Sequence, residues 1–156
     1  MASLNIILDL KGHKRFTYDL PITIANPKQN PNLRDKALVF TATRRLHRGK
    51  SKVYKGSLTL EGHMFPVYVV CKIVIGSRVA NLTHEANLYN AVLTPLHGIY
   101  VPLFLYHAQG VSPYTSLPMA ASIMTYAGRS IGNTWGGTSD ETRCAETSSV
   151  TPSLLS

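Results

Sequence analysis

Acidic residues are scarce in this chain. Eight Asp and Glu stand against sixteen Lys and Arg, a formal net charge of +8, and that imbalance favours anionic partners such as nucleotides, nucleic acids or acidic membranes. Cysteine is nearly absent as well. Cys71 lies in an apolar run and Cys144 in a Ser/Thr-rich tail, which excludes a disulfide framework and predicts reduced thiols in an intracellular setting, cytoplasmic or nuclear. No apolar stretch approaches the roughly 20 residues that cross a bilayer. The opening Met-Ala-Ser-Leu-Asn-Ile-Ile-Leu-Asp-Leu lacks a basic n-region and has too short an apolar core for a signal peptide, so secretion is not expected. Asn81-Leu-Thr83 has the form of a glycosylation sequon, but without a secretory signal it reads as a helix start. The histidines at 13, 47, 63, 84, 97 and 107 show no metal-ligand spacing among themselves or with the cysteines, and no metal site is predicted. No G-x-S-x-G elbow occurs.

What is present reads as one core with appendages, since 156 residues that are 44% hydrophobic suffice for a single domain. Residues 1–36 contain two strand-like runs, 4–10 and 15–24, followed by the loop Asn26-Pro-Lys-Gln-Asn-Pro-Asn32, and read as an N-terminal β-rich extension. From 37 to 131 the pattern is denser. Residues 37–46 and 52–60 form a hairpin around the basic turn His47-Arg-Gly-Lys-Ser51, and the continuous apolar run 67–75 forms a third antiparallel strand. Apolar positions Leu82, Ala86, Tyr89 and Leu93, with Leu88 and Val92 beside them, recur at helical spacing. Residues 101–107 and 117–126 complete the order βββαββ. Residues 132–156, with ten Ser or Thr and three Gly, read as a disordered low-complexity tail.

Lys72 sits between Val70 and Val74 on one strand face, and Glu85 lies on the apolar side of the helical segment. Each charge alone loses hydration without compensation in such surroundings, so the two are predicted to pair. A Lys on the third strand and a Glu on the helix after it resemble the N-terminal lobe of the eukaryotic protein-kinase fold. The resemblance covers residues 37–131 and implies an α+β fold, a five-stranded antiparallel sheet with one inserted helix. Val69-Val-Cys-Lys72 resembles the third-strand V-A-I-K motif, and His84-Glu-Ala-Asn-Leu-Tyr89 resembles the segment carrying the partner glutamate. Leu46-His-Arg-Gly-Lys-Ser-Lys-Val-Tyr-Lys-Gly56 resembles the phosphate-covering loop. Ser122-Ile-Met-Thr-Tyr-Ala127 looks like the fifth strand entering the hinge.

The resemblance implies ATP as a weakly held ligand, with Lys72 on its phosphates, Glu85 positioning that lysine, and Val53 against the adenine. Met124 would stand as gatekeeper, backbone groups of Thr125 and Ala127 would meet the adenine edge, and Gly49 would lie in the phosphate loop. Departures are equally plain. Gly49 is the one glycine left in that turn, with Leu46, Arg48 and Ser51 at the other glycine sites, and neither H-R-D nor D-F-G occurs. The chain stops where the second lobe would begin, so a truncated, pseudokinase-like lobe without transferase activity of its own is expected. The absent lobe or another protein would then cover the apolar underside of the sheet. The alternative is a basic β-rich nucleic-acid-binding module, because six of the sixteen basic residues lie within 44–55 and Tyr54 interleaves with them as a stacking platform.

Overall fold

A computed structural model of the chain describes residues 2–26, 36–60, 67–93, 95 and 102–125. The tail 132–156 and Ala127 lie outside the described residues, as does the start of the run 101–107. The described residues contain seven strands: β1 (Ser3–Leu8), β2 (Phe16–Ala25), β3 (Ala37–His47), β4 (Lys52–Leu60), β5 (Val67–Ile75), β6 (Phe104–Val111) and β7 (Pro118–Thr125). A helix, α1 (Val79–Ala91), follows β5 after a single 3-10 turn at Gly76–Arg78. Gly76 has φ +80°, a left-handed conformation that glycine adopts without a Cβ penalty. The strand can therefore break and the helix begin within three residues.

The strands close into a barrel in the order β1-β2-β6-β7-β5-β4-β3, with β3 returning to β1. This overturns the expected open five-stranded sheet with the first 36 residues as an appendage. The five strands and the helix do follow the predicted chain order, but β1 and β2 occupy the two edges that the five would leave bare. β1 pairs in parallel with β3 and antiparallel with β2, and β2 pairs antiparallel with β6. The physical reason lies in the alternation of those first strands. Leu4, Ile6 and Leu8 of β1, with Tyr18 and Leu20 of β2, all turn inward and are buried. A strand with that pattern is stable only against another apolar face, and an unpaired sheet edge is a liability that closure removes.

The barrel interior is filled by residues from all seven strands. Leu4, Ile6, Leu20, Phe40, Val69 and Ile123 are completely inaccessible to solvent, each contributing about 1.5–3 kcal/mol relative to an exposed position. Gly56 permits the closest approach. A Cβ there would overlap the Thr41 carbonyl oxygen and come within 2.8 Å of the Phe40 ring, so only glycine lets β4 lie over that aromatic. Helix α1 packs on the outside of the barrel, where Val79 and Leu82 meet Val74 and Ala120. Tyr89 stacks on Phe104 with ring centroids 6.5 Å apart. No helix among the described residues is long and apolar enough to cross a membrane.

Candidate functional site

The outer face of β4, β5, β7 and β6 carries the candidate site. Strand alternation sends Val69, Cys71 and Ile73 inward, so Val70, Lys72 and Val74 point out. The register then sets Val53, Lys72, Ser122 and His107 in one row across four strands. A second row runs through Lys55, Val70, Met124 and Phe104. Helix α1 covers the β6 end of both rows and leaves Val53, Val70 and Met124 half-buried. These three form an apolar strip beside Lys72.

Lys72 Nζ donates to Glu85 Oε2 at 2.8 Å. The predicted pair is therefore present, reached because Glu85 stands one helical turn from Leu82, which anchors α1 to the barrel. Its side chains retain 26% and 37% of their exposure, more than the sequence suggested. At that exposure the pair contributes about 0.2–1 kcal/mol to stability. Its chief effect is geometric: the carboxylate fixes a flexible ammonium beside an apolar strip.

The other candidates separate. Thr125 adjoins Met124, but its amide donates to the Leu103 carbonyl and its hydroxyl accepts from the Leu103 amide, both at 2.9 Å. The backbone donor expected at an adenine edge is already used. Gly49 sits in the β3–β4 turn under the His47 ring, where a Cβ would come 2.8 Å from Nε2. Lys50 and Lys52 do not face the outer strip and instead line the open end of the barrel. Tyr54 turns inward and is 6% exposed, so it offers no stacking platform to a nucleic acid. Ala127 lies outside the described residues.

Sequence reading missed His107. It is completely buried beneath α1, where Nδ1 lies 2.8 Å from Ser122 Oγ and Nε2 lies 3.2 Å from Thr83 Oγ1. Thr83 in turn donates to the Val79 carbonyl at 2.9 Å, with Gln109 Oε1 at 3.2 Å. Both ring nitrogens are satisfied when Nε2 donates to Thr83 Oγ1 and Nδ1 accepts from Ser122. Burial pushes the His107 pKa from 6.5 down to about 4, so the ring is neutral near pH 7. The signal in the sequence was a lone His inside the apolar run Phe104-Leu-Tyr-His-Ala108. Cys71, one residue from Lys72, faces the core as a free thiol whose pKa is raised by burial, which makes it a poor nucleophile. Among the described residues no group of three or more His, Cys, Asp or Glu is arranged to hold a metal.

Comparison with known proteins supplies no relative. No family model, curated protein or solved structure matches this chain. The functional reading therefore rests on the outer face itself: an ammonium held at 2.8 Å by a helix carboxylate, adjoining three half-buried apolar side chains.

Proposed function

We propose that the outer face of β4, β5 and β7 is a weak binding site for a nucleoside phosphate, ATP being the expected ligand, and that these 156 residues do not transfer phosphate. The Lys72–Glu85 pair at 2.8 Å carries the reading. An ammonium so placed keeps two donors for phosphate oxygens while the third, on the Glu85 carboxylate, keeps it from turning into solvent. The strip of Val53, Val70 and Met124 provides an apolar surface of the kind a purine ring covers. The resemblance of Val69-Val-Cys-Lys72 and His84-Glu-Ala-Asn-Leu-Tyr89 to kinase segments supports the same ligand. Lack of H-R-D and D-F-G leaves no base or metal ligand for phosphoryl transfer.

The test is titration of the full chain with a fluorescent N-methylanthraniloyl ATP, alongside incubation with γ-labelled ATP and Mg²⁺. Binding weaker than about 10 μM is expected, because one ammonium supplies the phosphate contact, and Lys72→Met should weaken it about tenfold. Glu85→Gln should cost less. Absence of binding at millimolar nucleotide, or binding indifferent to Lys72→Met, refutes the site. Phosphotransfer that disappears in Lys72→Met refutes the claim of inactivity.

A further inference from the structure

The barrel is open at one end, and the opening leads into a cavity of about 370 Å³. It lies inside the sheet, on the opposite surface from the Lys72 face. Its walls come from the ends of five strands and three turns: Leu8 and Leu10, the 13–18 segment, Arg45, the β3–β4 turn, Tyr54, Ile73 and Ile75, and the β6–β7 turn. Two features distinguish it from a packing defect. The walls carry four aromatic rings, Phe16, Tyr18, Tyr54 and Tyr114. The mouth carries five basic side chains, His13, Lys14, Arg45, Lys50 and Lys52, and among the described residues no carboxylate. The nearest acid in sequence, Asp9, points outward between Leu8 and Leu10, is 57% exposed, and meets Arg15 at 3.9 Å.

The backbone is built to turn a cation inward. Ala42 pairs with the inward Gly56, Arg44 with the outward Lys55, and Arg45 with the inward Tyr54. One extra residue, Thr43, is thus inserted into β3, and its hydroxyl donates to the Lys55 carbonyl at 3.2 Å. Such a bulge reverses the facing of the residues that follow it, here Arg44 and Arg45, until a second shift between Arg45 and His47 restores it. Without it Arg45 would point to solvent; with it, the guanidinium lies 6.0 Å from the centroid of the Tyr54 ring. Lys14 likewise lies 5.7 Å over Phe16. The rings are ordered among themselves, with Tyr114 edge-on to Phe16 at 5.1 Å and to Tyr18 at 5.4 Å. Tyr114 Oη accepts from the Thr17 amide at 3.0 Å. Burial raises the Tyr18 and Tyr54 phenol pKa values, so these rings stay neutral donors at physiological pH.

We infer that the barrel mouth is a binding site for a small organic anion with a flat apolar body, its ring among Phe16, Tyr18, Tyr54 and Tyr114 and its carboxylate on Arg45 and the rim lysines. A volume of this size is at the lower end for ligand pockets, which fits a compact aromatic acid rather than an extended lipid. Among the described residues no carboxylate pairs with Lys14 or Arg45, so an entering anion displaces no acid from them there. The surrounding aromatic walls lower the local dielectric and strengthen each charge-assisted bond.

The probe is 2-naphthoate, with the neutral 2-naphthalenemethanol as its control, titrated into ¹⁵N-labelled full-length chain. Naphthoate should shift the amides of Tyr18, Tyr54 and Ser112 together, and should bind about tenfold more tightly than the alcohol. Arg45→Gln should remove most of that difference. Lys50→Gln, in an exposed turn that does not threaten the fold, should reduce it about threefold, and added salt should do the same. The inference is overturned by equal affinity for acid and alcohol, by shifts centred on residues outside the cavity, by no binding at millimolar probe, or by retention of the preference in Lys50→Gln and Arg45→Gln alike.

Discussion

Acid should destabilise this protein through His107. The ring is completely buried and its pKa falls from 6.5 to about 4, while in the unfolded chain it titrates near the ordinary value. Above pH 6.5 both states are neutral and the histidine contributes no pH dependence. As pH falls from 6.5 towards 4 the unfolded state takes up a proton that the folded state refuses, and stability is lost. Linkage gives a loss of about 1 kcal/mol at pH 5.5, growing to roughly 3 kcal/mol as both states become charged below pH 4.5. The assay is urea denaturation of wild type and His107→Gln at pH 7.5, 5.5 and 4.5. Glutamine places an amide where Nε2 meets Thr83 and does not titrate. Subtracting the two curves cancels every other group, including the exposed His13, His47 and His84. Relative to His107→Gln, wild type should lose roughly 2–3 kcal/mol of stability between pH 7.5 and pH 4.5. A difference constant across the three pH values would refute the buried neutral ring.

Gly56→Ala should cost about 2 kcal/mol or more by overpacking against Phe40 and the Thr41 carbonyl; an unchanged urea midpoint would contradict that close approach. A double-mutant cycle of Lys72→Met and Glu85→Gln should give a coupling of about 0.5–1 kcal/mol, in line with the exposure of both side chains; a value above about 3 kcal/mol would require a far drier pair. In a Cys144→Ser background, Cys71 should resist a disulfide reagent in the native state and react at the rate of unfolding, since it is fully buried; rapid labelling without denaturant would show the β4–β5–β7 region to open locally.

Local pattern carried much of this fold and long-range pairing did not. Alternation of apolar residues marked the strands, and helical spacing marked α1 closely enough to place Glu85 opposite Lys72. Closure was misread because Asn26-Pro-Lys-Gln-Asn-Pro-Asn32 punctuates the chain like a domain boundary, whereas the pairing of β1 with β3 and of β2 with β6 leaves no mark at either partner. The site was legible where one ion pair defined it. It was illegible where a bulge intervened: strict alternation places Arg45 outside and gives no hint that Thr43 shifts the register. Tyr54 was misassigned for a related reason, its basic neighbours in sequence suggesting a solvent-facing ring when the pleat turns it into the core. His107 was overlooked because a histidine is polar by composition, and only its three-dimensional partners make it an interior residue.

The β2–β6 ladder also sets the order in which the barrel can assemble. Ile22 faces Ala108 across it, 86 positions further along the chain, whereas β3, β4 and β5 form a meander of near neighbours. At typical synthesis rates of about 5–20 residues per second, the β1–β2 hairpin waits roughly 4–17 s for its remaining partner to emerge. During that interval Ile22 and Ile24 stand on an open edge, and closing so long a loop is entropically slow. The β2–β6 seam is thus a time-dependent vulnerability on the ribosome, where a second nascent chain or a chaperone competes for the same strand.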